Sequence, residues 1–118
     1  MSKPTRPADI YLRFLNLLGA LRDLPALPPL DPLEERILAV VGRARQLEQR
    51  LSVRDLMSQE ELGAPATIHT RIKSMRSKGW VVLADTEDSR RKQVDLTPAA
   101  LAYFDEVSGL MLQAAREG

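Results

Sequence analysis

Cysteine is absent from the 118 residues. Disulfides, thiolate metal sites and thiol redox sensing are therefore excluded, and a reducing cytosol suits the composition. Histidine occurs once, as His69. The chain also lacks a glycine-rich phosphate loop, a metal-spaced ligand set and a nucleophile motif, so the expectation is no enzyme, no cofactor and no metal. Glu60 and Glu61 read as solvated neighbours. A strong excess of either charge is missing: the formal net charge is +1. Any case for nucleic acid must therefore rest on how charge is distributed. Long apolar runs are missing too. The stretch from Ile10 to Leu24 is broken by Arg13, Asn16, Arg22 and Asp23, too polar to span a bilayer. The opening Met1-Ser2-Lys3-Pro4 has no apolar signal core, which places the expected location in the cytoplasm.

What is present is a succession of helical stripes. From about Pro7 to Leu24, Ile10, Phe14, Leu17, Leu21 and Leu24 recur at spacings of four and three, one face of a helix. Pro25, Pro28 and Pro29 stop it and stiffen the connector. Asp31-Pro32-Leu33-Glu34 is a helix start: a capping aspartate, proline at the first turn and a glutamate able to reach back to the cap backbone. The helix is expected to run to about Gln49, with Leu33, Ile37, Val40, Val41 and Ala44 inward. Ser52-Val53-Arg54-Asp55 repeats the capping signature and opens a short helix. Leu62-Gly63-Ala64 reads as a turn, and Pro65 opens a fourth helix that closes at Gly79. Two helices across a tight glycine turn make a helix-turn-helix. Trp80-Val81-Val82-Leu83 and Lys92-Gln93-Val94-Asp95-Leu96 then read as two strands of a hairpin, a wing. Thr97-Pro98 opens the last helix. The expected fold is mainly α with a small β-hairpin. Residues 31–97 form a winged helix-turn-helix, between an N-terminal helix and connector (1–30) and a C-terminal helix (98–118).

The fourth helix turns Ile68, Ile72 and Met75 to one side. At about 100° per residue, Ala66, Thr70, Lys73 and Ser77 point the other way, flanked by Thr67, His69 and Ser74. Near Pro65 that face is small and polar. Further along, Lys73, Arg76 and Lys78 make it basic. Small side chains let a helix N-terminus approach base edges. Threonine and alanine methyls suit thymine methyls, and threonine or histidine can bond to base acceptors. Arg90, Arg91 and Lys92 put consecutive cations at the hairpin tip, where phosphate or the minor groove would lie, although Asp85, Glu87 and Asp88 precede them. Expected DNA contacts are Ser52 at its cap, Pro65, Ala66, Thr67, His69, Thr70, Lys73 and Ser74 on the helix, and Arg90, Arg91 and Lys92 on the wing. The competing reading of each is an ordinary solvated face or charged turn.

From about Leu51 to Leu101 the chain resembles the MarR-type winged-helix transcription regulators. The matching pieces are Ser52-Val53-Arg54-Asp55-Leu56, Lys78-Gly79-Trp80-Val81, and Asp88-Ser89-Arg90 followed by Val94-Asp95-Leu96-Thr97. The resemblance implies a homodimer, repression of nearby promoters, relief by a small ligand of unidentified chemistry, and a wing arginine, Arg90, in the minor groove with Asp88 orienting it. Ala99 and Ala100 stand where that pattern has a glycine, and Ala64 and Pro65 replace its polar residues at the start of the recognition helix.

The terminal helices are too apolar for an isolated chain. Leu101, Phe104 and Met111 make one stripe of the last helix, and Tyr103, Val107, Leu110 and Ala114 another. One can cover the domain while the other meets a partner; the competing reading is that both ends pack together within one chain. The expected homodimer interface comprises Ile10, Phe14, Leu17, Leu21, Phe104, Val107 and Met111. A two-fold dimer would space two recognition helices about one DNA turn apart. Trp80 reads either as core at the strand start or as the wall of a ligand pocket. Met57, Met75 and Met111 read as packing residues. The functional expectation is a sequence-specific, double-stranded DNA-binding regulator. The alternative is a winged helix that binds protein, a transcription or replication adaptor.

Overall fold

A computed structural model of the chain describes residues 6–20, 27–85 and 92–116. The elements follow in the order α1 (Pro7–Ala20), α2 (Pro32–Gln46), β1 (Leu51–Ser52), α3 (Val53–Met57), a single 3-10 turn (Glu60–Leu62), α4 (Pro65–Ser77), β2 (Val81–Ala84), β3 (Gln93–Leu96) and α5 (Pro98–Arg116). The chain clusters into two compact units, Leu27–Ala100, and Met1–Ala26 with Leu101–Gly118.

In the first unit the caps act as the local sequence dictates. Asp31 accepts from the Glu34 N–H at 2.8 Å, and the Asp31 N–H donates to Glu34 Oε1 at 3.0 Å, a reciprocal box at the start of α2. Ser52 and Asp55 repeat it at α3, at 3.0 and 2.9 Å. Helix α2 ends at Gln46, short of the expected Gln49. There Glu48 adopts φ +57, the Gln49 N–H reaches Ala44 O at 2.8 Å and the Glu48 N–H reaches Arg45 O at 3.1 Å. A left-handed residue after the cap with this pair of bonds terminates a helix. Gly79 does the same for α4: φ is +86, with Trp80 N–H to Met75 O at 3.0 Å and Gly79 N–H to Arg76 O at 3.1 Å.

The sheet is antiparallel and three-stranded, in the order β1-β3-β2, where a two-stranded hairpin was expected. The extra strand is two residues long and pairs Leu51 with Val94 and Ser52 with Gln93. Across the wing, Val81 faces Leu96 and Leu83 faces Val94. Val81, Val94 and Leu96 turn into the core, joining Ile37, Val41, Leu56, Leu62, Ile68, Ile72, Met75 and Trp80. Each fully buried aliphatic side chain contributes about 1.5–3 kcal/mol. The α4 face expected to be inward is inward. The paired ribbon expected after Trp80 is present, and its tip (86–91) lies outside the described residues.

In the second unit α1 has no buried residue, and Tyr11, Leu12 and Leu15 are exposed. The expected continuation of α1 through Leu21 to Leu24 lies outside the described residues. The Arg13 guanidinium donates to Ala114 O from Nε at 3.0 Å and Nη2 at 2.8 Å, tying α1 to the open carbonyls near the end of α5. On α5, Ala114 is buried and Tyr103, Val107 and Leu110 are half-buried, whereas Met111 and Leu112 are exposed.

Candidate nucleic-acid interface

Helix α4 buries Ile68 and turns the rest of its N-terminal half to solvent. Ala64 at its N-cap makes no side-chain capping bond, and Pro65 occupies the first turn. Pro65, Ala66, Thr67, His69, Thr70 and Lys73 are all exposed. The helix from Pro65 to Ser77 carries no aspartate or glutamate, so nothing on this face repels phosphate. The Thr70 hydroxyl donates to Ala66 O at 3.0 Å. Its proton is committed, which leaves the oxygen to accept from a base amino group and the methyl to meet a thymine.

The basic residues of α4 divide. Lys73 and Arg76 are exposed. Arg71 turns back to Asp31, with Nε 3.0 Å from Oδ2. Lys78, expected with the outward cations, turns inward instead. Its Nζ donates to Glu34 Oε1 at 2.8 Å and to Pro29 O at 2.9 Å. Glu34 is the one charged residue in the described core, 1% exposed, and without the Lys78 ammonium its carboxylate would be buried without a counter-charge. Burial pushes the Glu34 carboxyl up, yet the Asp31 N–H, the Lys78 ammonium and the neighbouring Ser74 hydroxyl together hold it below its ordinary value. Ser74 is accordingly half-buried, set back from the outward face on which it was expected.

The remaining expected contacts are placed unevenly. Ser52 is half-buried and its Oγ accepts from the Asp55 N–H, which leaves the hydroxyl proton able to donate to a phosphate oxygen. Lys92 is exposed at the base of the wing and ion-paired with Asp85. That pair answers in part how the acids beside the wing are neutralised. Arg90, Arg91 and Asp88 lie outside the described residues. Sequence reasoning passed over two cations that flank the Ser52 cap. Arg54 is exposed on α3, and Arg50, also exposed, donates to Gln93 Oε1 at 3.3 Å from the neighbouring strand. The available signal was their spacing, two residues either side of the cap. Trp80 is buried at the start of β2, with its indole N–H donating to Pro28 O at 2.8 Å, the core placement of the two weighed.

Among the described residues no helix is long and apolar enough to cross a membrane, and no group of acidic or histidine side chains is placed to hold a metal ion.

No protein-family model matches the chain, and neither does any curated protein. Solved structures do. MepR, a transcription regulator of the Staphylococcus aureus multidrug efflux pump MepA, matches 93% of this chain and 73% of its own at 12% identity, with a TM-score of 0.55. MepR in its DNA complex matches 93% and 82% at 16% identity, with a TM-score of 0.53. The adhesin competence repressor AdcR of Streptococcus pyogenes matches 92% and 73% at 20% identity, with a TM-score of 0.51. At these identities the likeness is one of fold: the chain has the winged helix-turn-helix architecture of these MarR-type transcription regulators.

Proposed function

We propose that the chain is a sequence-specific, double-stranded DNA-binding transcription regulator that acts as a homodimer, with repression as its mode. The observation that carries this reading is the exposed face of α4. It is small and polar at Ala66, Thr67 and Thr70, basic at Lys73 and Arg76, and free of acids. A fold shared with MepR, which has been solved bound to DNA, supports the same use. In this reading α4 lies in the major groove, Ser52 and the cations around it meet the backbone, and Arg90, Arg91 and Lys92 serve the wing. The homodimer is supported by the second unit, where α1 buries no residue and exposes Tyr11, Leu12 and Leu15. The protein works in the cytoplasm and without enzymatic chemistry.

The test is selection of fragments from genomic DNA by the purified chain, followed by mobility shift against the enriched sequence. Specific complexes that weaken steeply with salt are expected. Equal, weak retention of all fragments would leave the protein-binding alternative standing. Light scattering of the free protein at twice the chain mass is expected for the dimer.

A further inference from the structure

The segment from Leu27 to Glu34 joins the recognition helix by a distinctive chemistry. Pro28 and Pro29 have no N–H and cannot dock by donating. They offer carbonyls only. Two donor-only side chains at the far end of the recognition helix meet them: Trp80 Nε1 reaches Pro28 O at 2.8 Å, and Lys78 Nζ reaches Pro29 O at 2.9 Å. The same ammonium binds buried Glu34 at 2.8 Å, and Asp31 pairs with Arg71 two turns further back, at 3.0 Å. A Cβ placed on Gly79 would stand 3.4 Å from the Leu27 side chain, so the segment also packs against the exit turn of the helix. As the chain runs forward from Pro28 to Asp31, its partners run backward from Trp80 through Lys78 to Arg71. The strap therefore lies along the C-terminal half of α4, while the N-terminal half is held by Ile68 in the core and turns its outward face to solvent without a side-chain cap.

Ile68, Ile72 and Met75 seat one face of α4 on the core along its length, and the strap adds polar bonds at its C-terminal end that fix where that end sits. We propose that residues 27–34 are a fixed strap that sets the orientation of the recognition helix. Lys78 and Trp80 are its positioning residues, acting on DNA affinity without touching DNA. This inference rests on the DNA-binding reading. It assigns Lys78, a cation on the expected reading helix, a role other than phosphate contact. Glu34 is buried and Lys78 half-buried, so losing either partner strands the other's charge and the pair commits the strap to one arrangement.

The experiment uses the full chain and the DNA duplex that it selects. Affinity is measured over a salt series for the wild type, Lys78→Met, Trp80→Phe and Lys73→Ala. Exchange of the single indole N–H is followed by NMR in the folded wild type and Lys78→Met. Loosening a positioning element of this kind lowers affinity by about 2- to 30-fold. For Lys78→Met and Trp80→Phe the expected result is such a loss with the salt slope unchanged. For Lys73→Ala it is a slope shallower by about 0.9, the signature of one lost phosphate contact. Indole exchange accelerates in Lys78→Met, because the two donors hold one strap. A salt slope reduced by about 0.9 in Lys78→Met would make it a phosphate contact and overturn the inference, as would full affinity in either folded strap variant. Trp80→Phe decides the question alone if Lys78→Met does not fold. A wild type that binds no duplex overturns the DNA-binding reading and the inference together. A wild type that binds, with strap variants that bind equally well, overturns the inference only.

Discussion

The Thr97 hydroxyl stands 2.6 Å from the carbonyl oxygen of Gly79 and accepts the Ala100 N–H at 3.0 Å. One side chain thus donates to the turn that closes the recognition helix and caps the start of α5. Thr97→Val keeps the shape and removes both bonds, leaving a carbonyl and an amide short of a partner. The expected loss is about 1–3 kcal/mol, read as a lower denaturation midpoint with an unchanged slope. Thr97→Ser, which keeps the hydroxyl, is expected to recover most of it. Equal midpoints for the valine variant and the wild type would show that the bonds carry no net weight.

Glu34 gives the fold a defined acid sensitivity. Its carboxyl is held below its ordinary value in the folded state, so the folded chain favours the ionised form more than the unfolded chain does. The stability this supplies is complete above the unfolded glutamate value of about 4.3 and is lost as pH falls through the lower folded value. Glu34→Gln is therefore expected to be less stable than the wild type at neutral pH, with the gap closing below about pH 4. Urea titrations of both proteins across that range measure it. A gap that stays constant with pH would mean the carboxyl binds its proton equally in the folded and unfolded chain, and one that shrinks as pH rises would mean it stays neutral in the fold.

Two left-handed residues predict opposite outcomes. Glu48, at φ +57, pays a steric penalty that glycine does not. Glu48→Gly is expected to raise stability by about 0.5–1 kcal/mol, the strain relieved less the extra freedom given to the unfolded chain. Gly63, in the turn before α4, has φ +110 and ψ −155, backbone that essentially only glycine adopts. An added Cβ there meets nothing within 4 Å, so the cost of Gly63→Ala is conformational, about 1–3 kcal/mol. Thermal melting of the two variants separates the signs.

What could be read from the sequence was what is local. Asp31 with Glu34 and Ser52 with Asp55 announce their helices across three residues, and Ile68, Ile72 and Met75 announce the buried side of α4. The strand Leu51–Ser52 was not legible, because two residues carry no period and their partners lie beyond position 90. Lys78 was misread for a related reason. Angular position on a helix placed it outward, but Glu34, 44 residues away, decides its direction. Ser74 follows Lys78 inward toward the same carboxylate. Arg50 and Arg54 carry no local pattern of their own, and Arg50 is placed by Gln93, 43 residues away.

Association is expected to depend on the apolar surface of the terminal helices. Pro7, Ile10, Tyr11, Phe14 and Met111 line a groove of about 330 Å³, and Tyr11 and Met111 are 61% and 51% exposed, apolar surface that a second copy would cover. Phe14, Leu17, Phe104 and Val107 are half-buried in the single chain and have surface left to give. Ile10→Glu and Met111→Glu are each expected to weaken the dimer roughly 10- to 150-fold, the value of one apolar side chain kept from water. Light scattering over a dilution series reads the shift from twice the chain mass to once. A wild type that stays at the single mass at micromolar concentration removes the dimer and with it the paired-helix docking.

The recognition face predicts a division between affinity and sequence preference. Lys73 and Arg76 are exposed on a helix without acids, and in the proposed reading they would meet backbone charge, which every sequence presents equally. Substituting either by alanine is expected to weaken all duplexes alike and to flatten the salt dependence by about 0.9 per cation. Thr70 has committed its proton to Ala66 and keeps an acceptor and a methyl for the groove. Thr70→Ala is expected to leave the salt dependence alone and to relax choice at one base pair, worth about 1–3 kcal/mol of discrimination. Competition between the selected duplex and single-base variants measures this. If Thr70→Ala weakened every duplex equally while Lys73→Ala changed base preference, the helix would have to lie in the groove the other way about. Its exposed N-terminal half would then follow the backbone, and the basic half would face the bases.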